Sequence, residues 1–143
     1  MDEKLLEIRE YTGSGYQPVI DYSSWRVAVL NYIEEIRPDL IDSVERHNET
    51  DEVFVMLKGQ GILFVGEGTE RVEMLHAQVL EPNKIYNVKR GVWHTVVLSQ
   101  DGSVLIVENR NTDDGNSDYS PLDSEQRSLI LKTAKQEQSD WWR

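Results

Sequence analysis

The residues best suited to chemistry lie in two short stretches. In Glu45-Arg46-His47 an extended backbone alternates its side chains between faces, so Glu45 and His47 point the same way, about 7 Å apart. A carboxylate oxygen and an imidazole nitrogen on one face are two potential metal ligands. After a turn through Asn48 to Asp51, Glu52 opens another strand in which Phe54 and Met56 share its side, while Val53, Val55 and Leu57 take the other. A carboxylate thus heads an apolar wall. The later run Gly91-Val92-Trp93-His94-Thr95 places a second histidine at the mouth of a strand, with Trp93 on the opposite face. The chain has no cysteine, so a metal would have to rest on imidazole and carboxylate alone.

The spacing Glu45-x-His47-x4-Glu52-x6-Gly59 resembles the first conserved motif of the cupins, HxH-x4-E-x6-G, with Glu45 in place of the leading histidine. Lys89-x-Gly91-x2-His94 resembles their second motif, PxG-x2-H, with Lys89 in place of proline. Gly59, Gly91 and His94 match outright. The resemblance implies an all-β, antiparallel barrel or jelly roll that gathers Glu45, His47, Glu52 and His94 as metal ligands, with Glu52 and His94 as catalytic candidates. Cupins include dioxygenases, isomerases, epimerases, lyases, storage proteins and sugar-binding domains, so the motifs specify a fold and leave the reaction open.

Two imidazoles and two carboxylates suit Fe(II), Mn(II), Zn(II) or Ni(II) with positions left for water and substrate. A carboxylate at 45 hardens such a site, or serves only to hydrogen-bond His47. The alternative is a metal-free pocket. There Glu52, buried beside Phe54 and Met56, would have a raised pKa and act with His94 as an acid/base pair. The function expected is an enzyme of isomerase, epimerase or lyase type on a small polar metabolite: a sugar, a hydroxy or oxo acid, or a ureido compound. The competing expectation is a non-catalytic small-molecule-binding module. Arg26 and Tyr32 share a face and reach a ligand if that face is the inner one. Phe54 and Met56 are the apolar candidates for contact with it. His76 reads as a hydrogen-bonded structural residue, and Glu108, at the end of an apolar strand, as a surface carboxylate in preference to one at the pocket mouth.

The 143 residues suit one domain. With 26 acidic against 15 basic residues the net charge is -11, which repels phosphate backbones and anionic membranes. No nucleic acid or membrane partner is expected. The first ten residues lack the apolar stretch of an export signal, and a cytoplasmic location is the expectation.

β-branched and aromatic enrichment predicts strands at Trp25 to Tyr32, about Asp42 to His47, Glu52 to Lys58, 62–65, 85–88, 95–98 and 103–108. Residues 5–11 read as a short edge strand in preference to a helical turn, and 71–80 as two extended pieces. Lys58 to Gly61 and Ser99 to Gly102 read as hairpin turns. The barrel core is expected over about 20–110. The polar tract 109–118 reads as a loop leaving the barrel. Ser120-Pro121-Leu122-Asp123 predicts a helix start, and the helix is expected over about 121–136 on the outside of the barrel. Outward apolar rows require a cover from the N-terminal strands, this helix or a second subunit, and a homodimer is expected. Trp141 and Trp142 either dock or fray.

Overall fold

A computed structural model describes residues 1–137. Ten strands, all paired antiparallel, form two five-stranded sheets packed face to face. In chain order they are β1 (Gly15–Tyr22), β2 (Trp25–Asn31), β3 (Ser43–His47), β4 (Glu52–Lys58), β5 (Gly61–Glu67), β6 (Met74–Val79), β7 (Tyr86–Val88), β8 (Trp93–Leu98), β9 (Ser103–Asn109) and β10 (Ser117–Pro121), followed by helix α1 (Ser124–Glu137). One sheet runs β1-β2-β9-β4-β7 and the other β10-β3-β8-β5-β6. The all-β jelly roll with a C-terminal helix stands as expected.

The two expected hairpins are corrected. β4 and β5 lie in different sheets, as do β8 and β9, so both turns carry the chain from one sheet to the other. They stack at one end of the sandwich, where the Ser99 hydroxyl accepts from the Gln60 amide at 2.9 Å and the Ser99 amide donates to the Gln60 carbonyl at 2.8 Å. Gly59 turns the chain at φ +72°, and a Cβ there would lie 2.7 Å from the Ser99 Oγ. A side chain at 59 would therefore break both the turn and the stack.

Alternation along the strands sorts the core. Ala28, Phe54, Met56, Leu63, Leu98, Val104 and Ile106 meet between the sheets. Ile62, Phe64, Trp93 and Val97 lie on the outer face of the second sheet, where Leu122, Ile130 and Ala134 cover them. Trp93, expected outside the barrel, is there but only 1% exposed. Its Nε1 donates to the Gly68 carbonyl at 2.9 Å, and the Arg46 guanidinium lies 4.2 Å from its ring centroid. The helix is thus the cover for this face. On the other sheet Val53 and Val55 are half-buried and Leu57 is exposed.

Several boundaries differ from expectation for local reasons. Residues 5–11 form no strand, and the strand missed at the N-terminus is β1. It contains Pro18, and β1 is an edge strand whose register shifts between Pro18 and Ile20, the setting in which a sheet tolerates proline. Residues 71–80 hold one strand rather than two pieces. The tract 109–118 does not leave the barrel. It makes a 3-10 turn at Asp114–Asn116 and returns as β10 alongside β3. The helix begins at Ser124 because Asp123 caps it, accepting from the Gln126 amide at 2.8 Å while the Gln126 side chain accepts from the Asp123 amide at 3.0 Å. The Ser120 Oγ instead accepts from the Val72 amide. Trp141 and Trp142 lie outside the described residues.

Ile130 is fully buried between α1 and the sheet. Ile130→Ala is expected to cost about 2–5 kcal/mol, read as a lowered urea midpoint with an unchanged m-value.

Candidate functional site

Strand register assembles the site at one end of the sandwich. β3 and β8 pair at a single position, Glu45 opposite His94, and His47 follows two residues on, facing the same way. On the facing sheet Arg26 lies opposite Glu108 and Val53 opposite Val107, so Glu52 and Glu108 head neighbouring strands. Gly91 ties the two motif stretches together. Its amide donates to the His47 carbonyl at 2.8 Å, and its φ of +78° favours glycine.

One ligand atom from each of Glu45, His47, Glu52 and His94 lies within 4.8 Å of the others. Glu52, His47 and His94 are 5%, 7% and 2% exposed, and Glu45 is half-buried. His94 Nδ1 lies 2.9 Å from the Val92 carbonyl oxygen, which can only accept, so this nitrogen carries a proton. Its Nε2 faces the Glu52 Oε1 at 2.7 Å. A contact this short shares one proton, and the directions of the two groups, Glu52 lowered and His94 raised, favour the imidazole as its holder. His47 Nδ1 bonds the Ser117 Oγ at 2.8 Å. Its Nε2 stands 3.4 Å from the Glu52 Oε1 and 3.8 Å from the Glu45 Oε1, and among the described residues it has no hydrogen-bond partner.

Burial alone would raise Glu52, as the metal-free reading of the sequence expected. The opposite holds: the two close imidazoles of His47 and His94 outweigh desolvation and keep its carboxyl well below the usual range. Burial likewise lowers the two histidines, but Glu52 overrides it and both move up. Glu45 moves up through burial, with His94 opposing and Glu52 adding.

A cavity of about 380 Å³ opens onto this cluster, the scale of a small-molecule site. Arg26 and Phe54 line it. Tyr32 and Met56 do not. Tyr32 falls just past the end of β2 and lines a separate hollow with Tyr11 and Lys58. Met56 shares the face of Phe54 but lies one pleat deeper, packed in the core near Gly61. His76 is a surface partner of Glu67 at 2.6 Å, matching its structural reading.

Glu108 corrects the surface assignment. It is 5% exposed and lines the cavity. It accepts from the Tyr16 hydroxyl at 3.2 Å and from the Arg26 Nη2 at 3.1 Å. Burial, then the nearby charge of Glu52, push its carboxyl up to about 7 against the pull of Arg26. Parity was the available signal, since Val104, Ile106 and Glu108 share one face of β9. Ser117, Thr112 and Asp113 also line the cavity, and nothing local in the polar tract marks them.

The sequence matches no family model and no curated protein. Similarity lies in solved structures. Pac13 of Streptomyces, in a structure with uridine, superposes with a TM-score of 0.55 at 8% identity over 80% of this chain and 85% of that one. Another structure of it is described as that of a unique nucleoside dehydratase. CapF of Staphylococcus aureus, a capsular polysaccharide assembling protein, gives 0.55 at 13% identity over 79% of this chain and 34% of that one. A cupin-2 domain protein of Shewanella frigidimarina gives 0.46 at 16% identity over 76% and 89%. The likeness to Pac13 and CapF is one of fold alone. Such a fold hosts many activities, so function must be argued from the site. Among the described residues, no helix is long and apolar enough to cross a membrane.

The raised His94 contributes stability that is full below its ordinary 6.5 and lost as pH rises through its folded value. The lowered Glu52 contributes stability that is full above its ordinary 4.5 and lost as pH falls through its folded value. Glu108, raised, also loses its contribution as pH climbs through about 7. With chelator present, thermal unfolding should show the pair's contribution complete between pH 4.5 and 6.5 and a fall on the alkaline side. His94→Ala should flatten that fall.

Proposed function

We propose that this cupin is an enzyme supported by a divalent metal, moving a proton on a small polar metabolite in isomerase, epimerase or lyase-type chemistry. One observation carries the proposal: four ligand atoms converge, and the His47 Nε2 is buried there without a partner. Leaving a buried polar atom unsatisfied costs roughly 1–3 kcal/mol, and a cation among these groups would remove that cost. Glu45, His47, Glu52 and His94 would hold it, and their mixed nitrogen and oxygen donors suit Fe(II), Mn(II), Zn(II) or Ni(II). When bound, such an ion supplies Lewis acidity toward a substrate oxygen and lowers the pKa of bound water.

The chain supplies the rest. Phe54 and Ile106 present apolar walls that exclude water from one side of the cavity. Ser117 fixes the His47 ring and the Val92 carbonyl fixes that of His94, so each turns its Nε2 inward. Glu108 and Tyr16, hydrogen-bonded to each other on the cavity wall, are placed to carry a proton to or from a ligand. The dehydratase description of Pac13 and its structure with uridine support lyase chemistry on a sugar-bearing molecule, by likeness of fold alone.

A second reading is favoured by the 2.7 Å contact of Glu52 with His94. Without a metal these two satisfy each other, and would serve as the acid/base pair themselves or as part of a binding site without turnover. Elemental analysis of protein prepared without a histidine tag separates the readings. About one equivalent of metal after reconstitution is expected, with His47→Ala and Glu52→Gln each weakening affinity at least ~10-fold. Less than about a tenth of an equivalent after reconstitution refutes the metal-supported form. Binding should also release protons and tighten as pH rises, because His94 and Glu52 would have to give up their shared proton to serve as ligands.

A further inference from the structure

We infer that the cavity takes an uncharged polyhydroxylated molecule, of monosaccharide to nucleoside size, and rejects ligands bearing phosphate or carboxylate. The inference rests on the reading of this cavity as the ligand site and narrows it, removing the hydroxy and oxo acids that the sequence left open. Among the described residues that line the cavity, carboxyl groups come from Glu45, Glu52, Glu108, Asp113 and Asp114, and Arg26 is the one guanidinium or ammonium. Even with Glu108 left out of the count, four carboxyl groups face Arg26 and the two imidazoles. A divalent ion on neutral imidazoles would bring that balance to about one negative charge, not to a positive one.

Arg26 is, moreover, already engaged. Its Nη2 donates to the Glu108 carboxyl at 3.1 Å and to the Thr112 carbonyl at 2.8 Å, and its Nη1 to the Arg110 carbonyl at 3.1 Å. The Tyr16 ring stacks on the guanidinium, with its centroid 5.5 Å away. The Arg26 Nε has no partner but is shielded from solvent. The fork that would clasp a phosphate or carboxylate is therefore occupied. An arriving anion would meet like charges, which sets specificity in an interface more strongly than contact area does.

The lining fits a polyol. Carboxylates accept hydrogen bonds from hydroxyl groups, and Asp113 and Asp114 stand beside Thr112 in the wall. Leu30, Phe54, Val96 and Ile106 offer apolar surface to the C–H face of a sugar ring. The buried, unpartnered His47 Nε2 marks the floor as a place where a polar group from outside the chain belongs.

The test is equilibrium binding by calorimetry near neutral pH, on metal-loaded and on chelator-treated protein. The probes are uncharged sugars, polyols and nucleosides, each beside its phosphorylated or carboxylated counterpart. Binding is expected among the uncharged members, with each charged counterpart at least about tenfold weaker. Tighter binding by the charged members, or none by the uncharged ones, overturns the inference. Glu108→Gln removes the acid that engages Arg26 and should shrink the discrimination at least about threefold. The double variant Asp113→Asn, Asp114→Asn, at exposed positions, should do so without touching the core. Discrimination unchanged in both variants also overturns it. Charge-selective binding with neither metal nor turnover would sink the enzyme reading and leave this inference standing. Metal-dependent turnover of an anionic substrate would do the reverse.

Discussion

A carboxylate buried at the end of the sandwich is the constraint on which the rest depends. Glu52 is 5% exposed, and an isolated charge in such a place would neutralise itself or unfold its surroundings. Two imidazoles from the opposite sheet meet it, at 2.7 Å and 3.4 Å. Neither sheet holds the site alone. The first brings Glu52, Glu108 and Arg26, and the second brings Glu45, His47 and His94. Charge compensation therefore requires the two sheets to close on each other, which couples the polar end of the fold to its stability.

The sandwich divides its interior accordingly. Met56, Leu98 and Val104 fill one end, next to the turns at Gly59 and Gly102. The other end stays open around ionisable groups. The outer face behind the histidines is held by α1 and by the stack of Arg46 on Trp93. Arg46 also donates to Asp118 of β10 at 2.9 Å, so the same strand that aims Glu45 and His47 inward is anchored outward on both sides. Rigid support of this kind is what a ligand constellation needs to keep its geometry.

Much of this was readable in the residues themselves. Alternation placed Glu45 with His47 and Glu52 with Phe54, and motif spacing joined them to His94. What alternation cannot tell is which sheet a strand enters. Gly59 to Gly61 and Ser99 to Gly102 read as hairpin turns because glycine turns look alike whether the next strand pairs or crosses over. β10 was hidden for a different reason. Ser117 to Pro121 has no apolar pattern, since its value lies in pairing with β3 and in the Ser117 bond to His47. Glu108 was visible by parity on β9, but the pocket mouth ranked behind a surface position because a carboxylate at a strand end is usually solvated. Its partners Tyr16 and Arg26 come from strands far away in sequence, and only the folded chain brings them together. Glu52 shows the same limit in its pKa, whose direction is set by neighbours rather than by burial.

The most direct measurement is X-ray absorption at the zinc edge of the zinc-loaded protein. The chain has three histidines, and the surface one, His76, sits beside Glu67, away from the cluster. Two imidazole nitrogens at about 2.0–2.1 Å with carboxylate oxygens at about 2.0–2.2 Å, kept intact in His76→Ala, is the result this account predicts. A shell of oxygens alone, or an imidazole contribution that disappears with His76, would contradict it.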